Sequence, residues 1–152
     1  MGEDLVENCL KRTNWDALIE CASVLNEGRI CKLLPNMNNG GVNLVRVLEF
    51  DNQDRWIARV QLRHSTAASA MALQCEVDTM ALVRERTKIP IPKVFGYATS
   101  NEAMGSAFVF MELLPGNAAM DEDGGYEVHR GKIPRHKRDG FHEQVAQSQV
   151  SL

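Results

Sequence analysis

Apolar residues recur at helical spacing in two stretches of the chain. Over residues 14–26 they stand three or four positions apart, as on one face of a helix. Residues 65–86 are rich in alanine, methionine, leucine and glutamate, all of which favour helices. Pro90 and Pro92 follow, and each disfavours helix in the residue before it. The pattern predicts a short N-terminal helix and a long internal one.

Shorter apolar runs bounded by turn residues indicate strands. Residues 42–50 and 56–62 flank a polar turn at positions 51–54, as in a hairpin. Two further strands are predicted at residues 94–98 and 107–113. With another strand before the glycine-bearing stretch that ends at position 41, this order predicts an α+β fold. A mostly antiparallel five-stranded sheet would carry the long helix packed across it.

The composition changes after residue 116, and this change sets the predicted boundaries. Residues 1–29 form a helical segment, 30–116 a compact lobe, and 117–138 a polar, flexible connector. A partial helix is expected over residues 139–152, with one amphipathic side formed by Phe141, Val145, Ser148 and Leu152.

Charge and cysteine content narrow the class of protein. The net charge of −3 over 152 residues gives no reason to expect nucleic acid or an anionic membrane as partner. No signal peptide or membrane-spanning run is recognised. The four cysteines form no CxxC pair, so we expect reduced, mostly buried thiols in a cytoplasmic protein and no metal site.

Two charges lie among apolar residues and suggest a site. Arg59 lies between Ala58 and Val60 in a strand whose faces alternate: Ile57, Arg59 and Gln61 on one, Trp56, Ala58, Val60 and Leu62 on the other. Glu76 follows Leu73 by three positions on the long helix, within an apolar stripe. Because an unpaired buried carboxylate is costly, Arg59 and Glu76 are expected to pair. Alternatively, Arg59 points outward and Glu76 lies at the edge of the stripe.

The turn around Gly40 and Gly41 is the candidate phosphate contact. It offers backbone N–H groups without bulky side chains, as close approach of a phosphate requires. It is not a Walker A motif, because no Gly-Lys-Ser/Thr follows.

Together these segments resemble the N-terminal lobe of the aminoglycoside phosphotransferase and protein-kinase-like family, especially its fungal branch. The resemblance runs from about residue 30 to residue 116 through five short motifs: GGVNLV at 40–45, WIARV at 56–60, CEVDTM at 75–80, TKIPIPKV at 87–94 and FMELLPG at 110–116. It implies a kinase-like fold and ATP as the bound nucleotide.

The resemblance also implies roles for individual residues. Gly40, Gly41 and Asn43 match the glycine-rich phosphate loop. Arg59 takes the position of the lysine that holds ATP phosphates, and Glu76 that of its helix partner. The remaining matches are a gatekeeper, Met111, and two hinge residues whose backbone would contact adenine, Glu112 and Leu114.

No catalytic residue is assigned within this chain. The family's transfer chemistry needs a catalytic-loop aspartate, an asparagine and a metal-binding aspartate. The tail segment His136-Lys137-Arg138-Asp139 has the wrong spacing, and Asp121-Glu122-Asp123-Gly124 precedes where a metal motif belongs. The resemblance therefore predicts a truncated ATP lobe of a kinase for small-molecule hydroxyls, inactive alone, with Mg²⁺ expected only in a full-length relative.

Two alternatives remain at the level of sequence. The first is a non-catalytic interaction module or degenerate pseudokinase lobe; in such a module, Phe141, Val145 and Leu152 would be interface residues toward another protein chain. The second is a lone lobe that binds nucleotide weakly as a sensor.

Overall fold

The structure is a computed structural model that describes residues 2–114, 127, 130, 132 and 135–151. Its internal contacts divide the chain into two compact units. The first unit holds residues 1–82 and 92–113, and the second holds residues 83–91 and 114–152.

The first unit is built on a five-stranded antiparallel sheet in the order β1-β2-β3-β5-β4. Its strands are β1 (Cys31–Asn39), β2 (Asn43–Phe50), β3 (Arg55–Gln61), β4 (Val94–Ala98) and β5 (Phe108–Glu112). The predicted α+β class and five-stranded sheet are confirmed. The four strands predicted after the glycine stretch lie within one residue of their observed bounds.

Two helices precede the sheet where the hydrophobic pattern predicted one. They are α1 (Gly2–Arg12) and α2 (Trp15–Leu25). The break between them is fixed by Asn14, whose side-chain oxygen accepts a hydrogen bond from the backbone N–H of Ala17 at 3.1 Å. This is the N-cap arrangement that begins a new helix.

One face of the sheet packs against α1 and α2. The alternation predicted for β3 is confirmed there, since Trp56, Ala58 and Val60 are buried. The core on this face also contains residues of both helices, of β2 and β5, and Leu62 directly after β3: Cys9, Leu18, Ala22, Leu44, Leu48, Phe50, Leu62, Phe108 and Phe110. This cluster is the larger of two in the described chain.

The other face carries the long helix α3 (Ala67–Arg86). Leu73 and Val77 are its buried residues, and they pack with Ala107, Val109 and Met111. The helix begins two residues after its predicted start. Thr66 explains the start: its backbone N–H and hydroxyl exchange hydrogen bonds with Ser69 at 2.8 and 3.0 Å, a reciprocal cap.

A polar junction ties the end of α1 to the sheet. The Arg12 guanidinium donates hydrogen bonds to four acceptors at 2.8–3.2 Å: Gly105 O, Ser106 Oγ, Gln61 O and Leu62 O. The buried hydroxyls of Thr13 and Ser106 are 2.7 Å apart. Charged hydrogen bonds of this kind are stronger than neutral ones, so the junction fixes α1 on the sheet.

The second unit contains α4 (Arg135–Ser151) and the last turn of α3. In that turn, Arg84 Nη1 donates to the carbonyl of Ile91 at 3.0 Å. Helix α4 begins four residues before the predicted position, Asp139, so the end of the predicted connector is helical. Val145 on α4 is exposed. The side chains of Phe141 and Ser148, Leu152 and most of the predicted connector lie outside the described residues.

No helix in the described part of the chain has the length and apolar character needed to cross a membrane.

The four cysteines are unpaired, and their burial differs from the expectation of mostly buried thiols. Cys9 is buried, Cys21 and Cys31 are half-buried, and Cys75 is exposed. Cys75 is exposed because it lies on the side of α3 away from Leu73 and Val77, which face the sheet. Burial raises the pKa of the Cys21 and Cys31 thiols above the ordinary value.

We expect the thiols to react with iodoacetamide at pH 7.5 in the order of their exposure. Cys75 should be alkylated first and Cys9 last, because the reactive thiolate must be both formed and reached. The raised pKa values should slow Cys21 and Cys31 at neutral pH and speed them as the pH rises. Peptide mass spectrometry of a time course measures this, and faster labelling of Cys9 than of Cys75 would contradict the burial.

Candidate functional site

An ion pair joins the sheet to α3 where the sequence predicted it. Arg59 Nη2 on β3 lies 2.7 Å from Glu76 Oε1 on the helix. The Arg59 side chain is 20% exposed and that of Glu76 is 46% exposed. The guanidinium is therefore largely enclosed but still reaches solvent, as a group that contacts a ligand must.

The surroundings of Glu76 correct the sequence interpretation. Glu76 was expected inside the apolar stripe of the helix, but the buried position is its neighbour Val77, four residues after Leu73. Glu76 lies at the stripe's edge, one of the alternatives left open, and pairs with Arg59 from there. Because the carboxylate keeps contact with water, the pair contributes little to stability and remains available to a ligand.

A hydrogen bond between Gln74 on α3 and Tyr97 on β4 joins the helix to the sheet. The Gln74 amide donates to Tyr97 Oη at 2.9 Å and to Asp78 Oδ1 at 3.0 Å. Together with burial of Leu73 and Val77, these bonds fix the helix that carries Glu76. Sequence reasoning missed them, since Tyr97 lies 23 positions from Gln74 and no local pattern links the two.

The glycine turn connects β1 to β2. Gly40 N–H donates to Asn43 O at 3.0 Å, which closes the turn. An alanine Cβ at Gly40 or Gly41 would meet nothing within 4 Å, and neither glycine has a positive φ. Neither backbone conformation nor packing within the described chain therefore requires glycine here, whereas close approach of a ligand would.

The sheet register puts the turn and Arg59 on one edge of the same surface. Val45 pairs with Arg59, and Asn43 lies two residues along β2 from Val45. Since side chains alternate along a strand, Asn43, Val45 and Arg59 share a face. Along β2, the Cα of Asn43 is about 7 Å from the Cα of Val45, the residue paired with Arg59. The glycine turn directly precedes Asn43.

The predicted gatekeeper and hinge residues lie at the end of β5 and just beyond it. Met111 is buried and packs in the cluster of α3. The Glu112 backbone N–H donates to Lys93 O at 2.8 Å, so an adenine contact at Glu112 would use a different group. Leu114 belongs to the second unit. The assignment of Met111 as gatekeeper and of Glu112 and Leu114 as adenine-contacting hinge residues remains a prediction.

The two tail segments excluded from catalysis are placed differently. His136, Lys137, Arg138 and Asp139 lie exposed in the first turns of α4. The segment 121–124 lies outside the described residues. Among those that are described, no three or more His, Cys, Asp or Glu side chains cluster as metal ligands would.

A separate pocket of about 530 Å³ was not predicted. It lies between α1 and the segment after β3 and is lined by Leu5, Asn8, Lys11, Arg12, Leu62, Arg63 and His64. The adjacent basic pairs Lys11-Arg12 and Arg63-His64 were its local signals, and each is weak alone.

Comparison with known proteins places this arrangement in a family. A sequence model of the phosphotransferase enzyme family matches residues 38–136, which include the turn, Arg59, Glu76 and the segment after β5. The "Subtelomeric hrmA-associated cluster protein" of two Aspergillus fumigatus strains is 33% identical over 94 residues. The "Probable acyl-CoA dehydrogenase IBR3" of Arabidopsis thaliana is 30% identical over 78 residues.

These matches cover 58% and 51% of this chain but only 17% and 10% of the Aspergillus and Arabidopsis proteins. The chain thus corresponds to a small part of each relative's length.

A solved structure has the same fold. The crystal structure of a "putative aminoglycoside phosphotransferase" from Ralstonia eutropha superposes with a TM-score of 0.54 at 20% identity. The match covers 78% of this chain and 34% of the Ralstonia chain. On the family match, which spans well over half of its residues, this chain belongs to the phosphotransferase enzyme family.

Proposed function

We propose that this chain is the nucleotide-binding lobe of an ATP-dependent phosphotransferase that, with a catalytic lobe, phosphorylates a hydroxyl group of a small molecule. The observation that carries the proposal is the 2.7 Å ion pair between Arg59 and Glu76. It supplies a cation that is held by a partner on another element yet remains in reach of solvent. Arginine stays charged at any ordinary pH and can hold two phosphate oxygens at once.

The glycine turn supports the same proposal. Gly40 and Gly41 leave open space where side chains would stand, and Asn43 shares the face of Arg59. Phosphates lying beside Arg59 would then meet backbone N–H groups of the turn beyond Gly40, whose own N–H donates to Asn43 O. Within this proposal, Met111 is the gatekeeper, and backbone groups of the hinge residues Glu112 and Leu114 contact adenine, as the family resemblance implies.

The proposed role does not extend to catalysis by this chain alone. Its 152 residues contain no His-x-Asp-x4-Asn element, and the described residues provide no cluster that would hold Mg²⁺. ATP would supply the transferred phosphoryl group. This lobe would bind and orient its phosphates, while the transfer machinery and Mg²⁺ ligands belong to a full-length relative.

Replacing Arg59 by glutamine should weaken nucleotide binding by roughly tenfold or more, since one charge-assisted phosphate contact is lost. The free energy of unfolding should change by less than about 1 kcal/mol, because the Arg59–Glu76 pair is partly exposed. Titration of the wild type and R59Q with Mg-ATP by calorimetry and by thermal shift measures both effects.

Arg55 provides the matched control. It lies on the same strand and pairs with Glu49 at 2.8 Å, so R55Q removes an equivalent ion pair outside the proposed site. R55Q should bind Mg-ATP like the wild type. Absence of any stabilisation of the wild type at millimolar Mg-ATP would refute the proposal, since a ligand that binds the folded state must stabilise it.

A further inference from the structure

The pocket between α1 and the segment after β3 has a basic lining, in contrast to the negative net charge of the whole chain. Of its seven lining residues, Lys11, Arg12, Arg63 and His64 are basic and none is acidic. The chain as a whole has a net charge of −3. A concentration of basic groups in one concave site, against the overall charge, is the electrostatic signature of an anion site. Its volume of about 530 Å³ lies within the range of roughly 300–1,000 Å³ found for small-molecule sites.

The basic groups differ in the hydrogen bonds and ion pairs that they make within the protein. Arg12 is held by four hydrogen bonds through Nε and Nη2, which leaves Nη1 outside these bonds on a fixed guanidinium. Lys11 pairs with Glu7 at 3.0 Å on the exposed surface of α1. Arg63 has no hydrogen bond or ion pair to any described residue. The pocket therefore combines one rigid cation with one that is uncommitted.

His64 adds a hydrogen-bond donor whose tautomer is set by its neighbour. Asn101 Oδ1 accepts a hydrogen bond from Ser65 N–H at 3.1 Å, so the Asn101 amide nitrogen must be the atom 2.7 Å from His64 Nδ1. An amide nitrogen can only donate, and Nδ1 of the neutral ring therefore accepts. Nε2 carries the hydrogen and is left to donate.

We propose that this pocket binds a small organic anion, with a phosphate or carboxylate head near Arg12, Arg63 and His64 and an apolar body against Leu5. It is a different site from the nucleotide site, because Arg59 and the glycine turn do not line it. The proposal thus stands independently of the proposed nucleotide function. The lining residues would accept either a phosphate or a carboxylate head. Comparing the binding of phenyl phosphate with that of phenylacetate distinguishes the two.

The test uses the full 152-residue chain with phenyl phosphate and phenylacetate, which share an apolar ring and differ in the anionic head. Binding is measured by calorimetry in the wild type and three variants that each lose one guanidinium: R63Q, R59Q and R86Q. Arg86 is an exposed residue at the end of α3 and serves as the control outside both sites. Arg63 has no partner in the described chain, so R63Q should fold normally.

We expect at least one of the two anions to bind and R63Q to weaken its binding roughly tenfold, with R59Q and R86Q within about twofold of the wild type. Binding of phenyl phosphate alone would assign a phosphate head, and binding of phenylacetate alone a carboxylate head. Failure of both anions to bind at millimolar concentration would overturn the proposal. So would equal binding by R63Q and the wild type, and loss of binding in R59Q alone would move the anion to the nucleotide site.

Discussion

Replacing Gly105 by alanine should lower the free energy of unfolding by about 3–5 kcal/mol. Gly105 has φ +79°, a left-handed conformation that costs residues with a Cβ roughly 1–2 kcal/mol. The added Cβ would also fall on the carbonyl oxygen of Arg12 and lie 3.4 Å from Thr13 Cα. Because these neighbours are backbone atoms, they can move only if α1 separates from the loop that contains Gly105.

That separation would strain the contacts that hold the helix. Arg12 Nε donates to Gly105 O at 2.8 Å, and Asn14 N–H donates to Met104 O at 2.9 Å. Urea unfolding followed by tryptophan fluorescence measures the loss, since Trp15 and Trp56 both lie in the first unit. Gly41→Ala is the matched control: its Cβ enters open space, so stability should be unchanged or slightly higher. Equal stabilities of the G105A and G41A variants would rule out a constrained backbone at Gly105.

The junction at Gly105 also shows where the sequence stops being informative. Arg12 and Gly105 meet across 93 positions, and neither lies in a pattern that distinguishes it from an exposed arginine or an ordinary loop glycine. Helix α1 was missed for a different reason. Its apolar residues do stand at helical spacing, with Leu5 four positions before Cys9 and Val6 four before Leu10, but the stretch is only 11 residues long, and a helix this short depends on packing against the sheet.

The strands were predictable because one buried face imposes an alternation that is visible over a few residues. In β3 that alternation correctly separated Trp56, Ala58 and Val60 from Arg59. In β2 the same rule puts Arg46 on the buried face, where its guanidinium lies 4.8 Å from the centre of the Trp15 ring. Burial lowers the pKa of Arg46. Two strand arginines of similar context thus face opposite layers, and the position of each relative to the buried apolar residues of its own strand decides which layer it faces.

The ion pair of the candidate site was predicted from its two charges, but the rotation of α3 was not. Neighbouring helix positions are about 100° apart around the axis. Assigning the buried stripe one residue too early therefore puts Glu76 where Val77 is buried. The helix turns Val77 inward because Val109 and Met111 offer it an apolar surface. The cation at Arg59 then meets the carboxylate at the margin of that surface, where both groups can also meet a ligand.

Replacing Phe110 by alanine should destabilise the protein by about 3–5 kcal/mol. Phe110 is fully buried at the centre of the sheet face covered by α1 and α2. Its ring lies 4.7 Å from that of Phe108 and 6.3 Å from that of Trp56. Removal of the ring leaves a cavity that the surrounding strands cannot close, because β3 and β4 are hydrogen-bonded to β5 on either side.

Phe110→Leu should cost clearly less, about 1–2 kcal/mol, because leucine refills most of the cavity. Urea unfolding of the two variants measures the difference, and similar losses in both would show that the aromatic contacts rather than the filled volume stabilise the core.

Phe110 and Met111 are neighbours on opposite faces of β5. The alanine variant should therefore weaken Mg-ATP binding only through the population of unfolded chains, and its affinity should return toward the wild-type value when low temperature restores folding. A deficit in affinity that persisted in the fully folded variant would instead mean that the packing behind β5 helps to set the geometry of the candidate nucleotide site.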